Sequence, residues 1–162
     1  MRAVRYFYVL ALALWLGGMA LAALVVAPTI FSVLDSWNAA NGRVLAGSLF
    51  GEILRRVYLV GGVAGGVMLL TLTVQRVLGP RPKAYGVRAS IIALMLAATG
   101  YAALALQPQI NALQLEASGP ISRLSPDDAR HTSFDQLHRW STALMSLTML
   151  GGVVLLTWET RE

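Results

Sequence analysis

The chain has 162 residues, of which 56% are hydrophobic and 13% charged, with a formal net charge of +5 and no cysteine. Soluble domains carry roughly 25% charged residues, so this composition excludes an ordinary water-facing surface. The missing cysteines exclude disulfides, thiolate metal sites and thiol redox chemistry.

The charges are segregated. No Asp, Glu, Lys or Arg occurs in residues 6–34, 57–75, 89–115 or 140–158, windows of 29, 19, 27 and 19 residues. A helix needs about 20 apolar residues to cross roughly 30 Å of hydrocarbon. Lipid offers no partner to open backbone groups, so helices are the expected form. The pattern predicts an all-α fold: one integral membrane four-helix bundle over residues 1–162, with spans of about 6–31, 52–78, 86–108 and 134–158.

The first span opens with Tyr6, Phe7 and Tyr8, rings that favour the headgroup layer. Arg2, Arg5 and the small residues Ala20 and Ala22 resemble a secretory signal. However, the apolar run continues past them to Phe31, as expected of a retained span. Pro28 is expected to end or kink this helix, since proline lacks a backbone donor. Residues 35–50 mix Trp37, Leu45 and Phe50 with polar residues and read as an interfacial segment. In the second span, Gly61 and Gly65 share a face, as do Gly62 and Gly66, and small faces of this kind let helices approach closely. Gly17-Gly18 and Gly151-Gly152 fit the same reading. Gly47 and Gly51 repeat the spacing but fall outside the predicted span. Gly79-Pro80-Arg81-Pro82 is a tight loop.

The third span reaches Pro108 and is followed by an outer loop over 109–125. Ser125-Pro126-Asp127-Asp128 is a helix start, with Ser125 as the cap. A helix from there to Trp158 is longer than one span, so its first turns are expected to project beyond the bilayer on the outer side.

Basic residues set the orientation. Arg76, Arg81, Lys83 and Arg88 crowd the short loop between spans two and three, and short basic loops stay cytoplasmic. That loop and both termini are therefore placed inside (N-in, C-in), in a bacterial inner membrane. The basic residues are not interleaved with aromatics on a soluble face, so nucleic acid is not an expected partner. The bilayer is, together with a second copy or another membrane subunit.

Polar residues collect at the outer ends of the spans, whereas the inner halves look nearly featureless. The second span opens with Glu52, Arg55 and Arg56. The third closes with Gln107, Gln109 and Asn111. The fourth opens with His131, Asp135, His138 and Arg139. His138 is the candidate ligand for haem or a metal, with Arg56, Gln107 and Asn111 around it, and His131 is a second candidate metal ligand. The two histidines are seven residues apart, about 10.5 Å along a helix, too far to share one ion. A structural reading stands beside this one: histidine bonded to a neighbouring helix, and Glu52 with Arg55 or Arg56, and Asp135 with Arg139, as local pairs. Met19, Met68, Met95, Met145 and Met149 read as packing. No Walker loop, zinc-protease helix or nucleophile elbow occurs.

Trp15-Leu16-Gly17-Gly18, Ala27-Pro28-Thr29-Ile30-Phe31, Gly47-Ser48-Leu49-Phe50-Gly51, Gln107-Pro108-Gln109-Ile110-Asn111 and Phe134-Asp135-Gln136-Leu137-His138-Arg139-Trp140-Ser141 together resemble the TMEM205-like family. The resemblance implies a small four-span membrane protein and no defined activity. The chain is more distantly similar to the CopD and HemJ membrane domains, where membrane histidines are associated with copper or haem b. Only His138 matches such a position, and the first span has no histidine. Three functions remain open: a haem- or metal-binding protein, a non-catalytic membrane subunit or scaffold, and an oligomeric transporter of a small solute. An enzyme is not expected.

Overall fold

The computed structural model describes residues 2–38, 41–78, 84–117, 121, 125 and 128–160, with Arg2 described by its backbone only. The fold is all-α, with four helical rods long and apolar enough to cross a membrane. The first rod is α1 (Arg2–Leu21), a π turn (Ala22–Val26) and α2 (Ala27–Trp37). The second is α3 (Gly42–Leu78). The third is α4 (Tyr85–Tyr101), a π turn (Ala102–Leu106) and α5 (Gln107–Glu116), and the fourth is α6 (Ala129–Glu159). Rods one and three run away from the end that holds both chain termini, and rods two and four return to it. That end is called terminal here, and the other distal.

Pro28 does not stop its helix, and Pro108 does not stop the third. Each follows a π turn, in which Ala27 N–H reaches back to Ala22 O and Gln107 N–H to Ala102 O. Proline removes one donor and its ring collides with the carbonyl four residues earlier. The wider π turn moves that carbonyl out of the ring's path and redistributes the backbone bonds. Both rods therefore continue through their prolines without breaking.

The helices overrun the predicted spans. The expected interfacial segment, 35–50, divides between the end of α2 and the first turns of α3, and much of the expected loop 109–125 is α5. A Cβ on Gly42 would overlap Leu34 O, so the chain reverses tightly there. The last helix is capped by Asp128 and not by Ser125: its carboxylate accepts from Arg130 N–H at 2.9 Å. Side-chain and backbone bonds from Arg130 hold that carboxyl down to about 2, so the cap stays charged at any ordinary pH.

Around the bundle, α1 packs on α3, α3 on α4, α4 on α6 and α6 on α1. The core is Trp15, Leu12, Met19, Met68, Leu72, Ile92 and Leu155, all at most 1% exposed. Leu24, Leu104 and Leu150 face outward, at 72, 83 and 64% exposure. In water such surface would be a liability, whereas in lipid it is the normal exterior. Hydroxyls at span depth bond back to their own helices, as Thr71 does to Val67 O and Thr148 to Leu144 O.

One of the two glycine faces of the second rod is used. A Cβ on Gly61 would lie 2.4 Å from Nε1 of Trp15, and one on Gly65 would lie 2.7 Å from its Cζ3. The indole of α1 lies flat on this seat. Gly62, Gly66, Gly17 and Gly18 have nothing within 4 Å of an added Cβ. Gly151 meets Met95, and Gly152 meets Leu16. The two faces of α3 therefore make opposite predictions. Gly61→Ala drives a methyl into a rigid ring and is expected to cost about 1–3 kcal/mol, read as a lower unfolding midpoint in detergent. Gly62→Ala is expected to leave the midpoint level or raise it slightly, because alanine is the better helix former.

Candidate functional site

A cavity of about 440 Å³ occupies the distal end of the bundle. Ala27 and Phe31 of α2 form one wall, and Phe134, His138, Ser141, Thr142 and Met145 of α6 face it. Gln107, Ile110 and Gln114 of α5 form a third side. The fourth is α3, from Arg43 and Val44 down to Leu54. Ile121, buried in the connection after α5, closes the distal end.

The glutamines owe their places to glycines. A Cβ on Gly51 would lie 2.9 Å from Gln107 Nε2, and one on Gly47 would lie 2.7 Å from Gln114 Nε2. Glycines four apart on α3 thus seat glutamines seven apart on the antiparallel α5. Gln107 is 8% exposed, and its amide donates to Asn111 Oδ1 at 3.1 Å. The imidazole of His138 stacks on Phe134, with ring planes 4° apart and centroids 6.1 Å apart. Beyond Ser141, Tyr58 is 3% exposed, and its hydroxyl faces that serine without reaching hydrogen-bonding geometry.

The structure brings His138 and Gln107 to one cavity. Asn111 bonds to Gln107 but does not line the space. Arg56 is well outside it, with a side chain 75% exposed and bonded at 3.1 Å to Glu52, which also holds Arg55. Arg56 does not cross to Asp135. The expected Asp135–Arg139 pair is replaced by Asp135 with His131, at 3.6 Å, the other i,i+4 neighbour of Asp135 on α6. His131 therefore sits apart from the cavity. Among the described residues, no three His, Asp or Glu side chains gather as a metal cage. A haem or metal in the cavity would find His138 as its one imidazole and Met145 as a soft neighbour.

The sequence passed over a second polar centre. At the terminal end, Arg88 opens α4 at 1% exposure and Glu159 ends α6 at 8%. Arg88 Nη2 and Glu159 Oε1 form a tight ion pair. Arg5 of α1 adds a bond from Nε to Glu159 Oε2 at 3.0 Å and one from Nη2 to Glu159 O at 2.9 Å. The Arg88 guanidinium also lies 4.9 Å from the ring centre of Tyr8, which is fully buried. One carboxylate thus ties three rods together.

A family model described as a domain of unknown function, DUF4149, matches residues 10–118. That is well over half the sequence. The chain belongs to the DUF4149 family. No curated protein matches it, and no solved structure does. The match to the DUF4149 model takes in three walls of the cavity and ends before α6, so His138, Ser141 and Glu159 lie beyond it.

For this DUF4149 chain the terminal centre makes a structural prediction. Glu159→Ala strands Arg88 in a buried site and is expected to cost about 3–5 kcal/mol, whereas replacing Arg88 and Glu159 together by apolar residues of similar volume restores most of the loss. Glu52→Ala, at an exposed pair, is expected to change little. Unfolding midpoints of the purified variants check all three.

Proposed function

We propose that this protein is a binding protein of the bilayer, whose distal cavity holds a largely apolar small molecule and meets its polar part with Gln107, Gln114 and His138. The observation that carries this reading is the pair of glycine seats. Gly47 and Gly51 admit two glutamine amides to an otherwise apolar wall. Small-molecule sites are commonly apolar spaces of about 300–1,000 Å³ with a few convergent polar groups. Buried amides need partners, and packing alone would be better served there by leucine. Haem is one molecule of this class: His138 would hold its iron, and Phe134, stacked on the imidazole, would orient that ligand. The distant resemblance to CopD and HemJ domains, whose membrane histidines are associated with copper or haem, favours His138, the one position that matches.

The basic loop 76–88 supports placing the terminal end in the cytoplasm of a bacterial inner membrane, with the cavity on the outer side. A scaffold role is the reading that survives if the cavity proves inert.

Solvent extraction and mass spectrometry of the purified protein, with a visible spectrum of the same sample, test the binding role. One component near 1:1 is expected in the wild type. Gly47→Leu fills the seat of Gln114 and should reduce that component at least tenfold while the protein stays folded. If the component is haem, His138→Ala should remove its Soret band. No component in the wild type, or equal amounts in the Gly47→Leu variant, overturns the reading.

Orientation can be tested separately, since the chain has no native thiol. In intact cells a membrane-impermeant maleimide should label a Ser125→Cys variant and spare Thr160→Cys. The reverse pattern would invert the proposed topology.

A further inference from the structure

We infer that the distal cavity takes a bilayer amphiphile with an anionic head group, which enters between α2 and α6 and sets its charge against Arg43. This rests on the binding role proposed for the cavity and adds the occupant's class and its route.

The route follows from the packing. Below the first π turn, α1 packs on α6. Above it, α2 packs on α3, and α5 packs on α6 and α3. Among the described residues, α2 and α6 share no comparable interface. Yet both wall the cavity, with Ala27 and Phe31 on one side and Phe134 and Met145 on the other. The bundle is closed on three sides and open on the fourth. An opening between the first and last rods of a transmembrane bundle faces sideways, into lipid.

The polarity gradient follows from where each residue sits along its rod. Arg43 lies in the first turn of α3 and Leu54 eleven residues further on, about 16 Å deeper. Ala27, Leu54 and Met145 form the deep, apolar end. Ser141 and Gln107 stand above them, then His138 and Gln114, and Arg43 is at the rim. An amphiphile lying along the bilayer normal has the same order: chain, ester or hydroxyl oxygens, charged head.

The sign of the head follows from the lining. Among the described residues, Arg43 is its one full charge and no carboxylate lines the cavity. Arg43 is engaged by Asp35 at 3.4 Å, with the two side chains 59% and 44% exposed. Charge-assisted bonds between such groups normally close to about 2.7–2.9 Å, and exposed pairs contribute little. A phosphate or carboxylate at the rim can therefore replace Asp35 at small cost.

The test uses two probes with one tail, 1-oleoyl lysophosphatidate and 1-oleoylglycerol, titrated against the protein in phosphatidylcholine nanodiscs and read by native mass spectrometry. The wild type is expected to bind the lysophosphatidate at least tenfold more tightly. Arg43→Gln should abolish that margin, and Asp35→Asn, which frees Arg43, should widen it severalfold. Equal binding of the two probes, or a margin insensitive to both substitutions, overturns the anionic head. The Gly47→Leu loss of the co-purifying component would still stand in that case, so the two failures are distinguishable. For the route, a Thr142→Cys variant should react faster with a bilayer-dissolved maleimide than with a water-soluble one. The opposite order overturns entry from the lipid.

Discussion

The structure depends first on a buried carboxylate held between two arginines. Glu159, in the last turn of α6, meets Arg88 in the first turn of α4 and Arg5 in the first turn of α1. Burying ions is costly, and the attraction offsets that cost only where the geometry is good and the remaining bonds are made. Here the guanidinium groups approach from two rods, and the Tyr8 ring lies beneath one of them. Four apolar rods in lipid have little hydrophobic reason to choose one register, because lipid is as apolar as their side chains. A charged pin at one end supplies that choice. It fixes which ends meet and confines any divergence of the rods to the far end.

The distal end is shaped by its prolines. Rods one and three each carry one about three-quarters of the way along, and each resolves it with a π turn just before. Within lipid an unpaired backbone group is expensive, so a bend is tolerated only where neighbouring bonds can be redistributed. Rods two and four carry no proline inside their helices. The two members that carry π turns stand at diagonal positions in the bundle, and the cavity lies beyond both turns, at the distal end. The Trp15 seat on Gly61 and Gly65 lies below the π turns and keeps α1 on α3 up to that level.

The architecture was legible because charge segregation is a property of the whole sequence and needs no partner. The four rods follow from the four charge-free windows. The helix ends were less legible. Pro28 read as an end or a kink and Pro108 as the end of its span, and only the π turns explain how both helices continue. Gly61 with Gly65 and Gly62 with Gly66 are equivalent in spacing, and which face is used is decided by Trp15, on another helix. Arg88 and Glu159 looked like ordinary boundary charges, because a charge one turn inside a helix end and one turn outside it look the same in sequence. At the distal end the reading brought the correct elements together. It could not say which side of α3 turned inward or how far along α6 the cavity reached, so Arg56, which the fold turns away, and His131, two turns beyond His138, were grouped with His138. Gln114 was missed, although a signal existed: glycines at 47 and 51 match glutamines at 107 and 114 on an antiparallel helix.

The size and lining of the cavity bear on why such a site is kept. An unfilled apolar space costs about 24 cal/mol per Å³, so 440 Å³ would cost on the order of 10 kcal/mol. That approaches the whole stability of a typical domain. A space of this size is compatible with a stable fold when it opens to its surroundings and is not sealed. Lipid chains would satisfy the deep end, around Leu54 and Met145. They do not satisfy the amides of Gln107 and Gln114, which glycine seats hold in place where larger residues would have closed the gap. A wall that gives up helix-favouring side chains at two positions in order to display two amides is organised around hydrogen bonds that a hydrocarbon chain cannot make. On the proposed reading the occupant carries a polar group at that height, and the charge of Arg43 above it favours an anionic one.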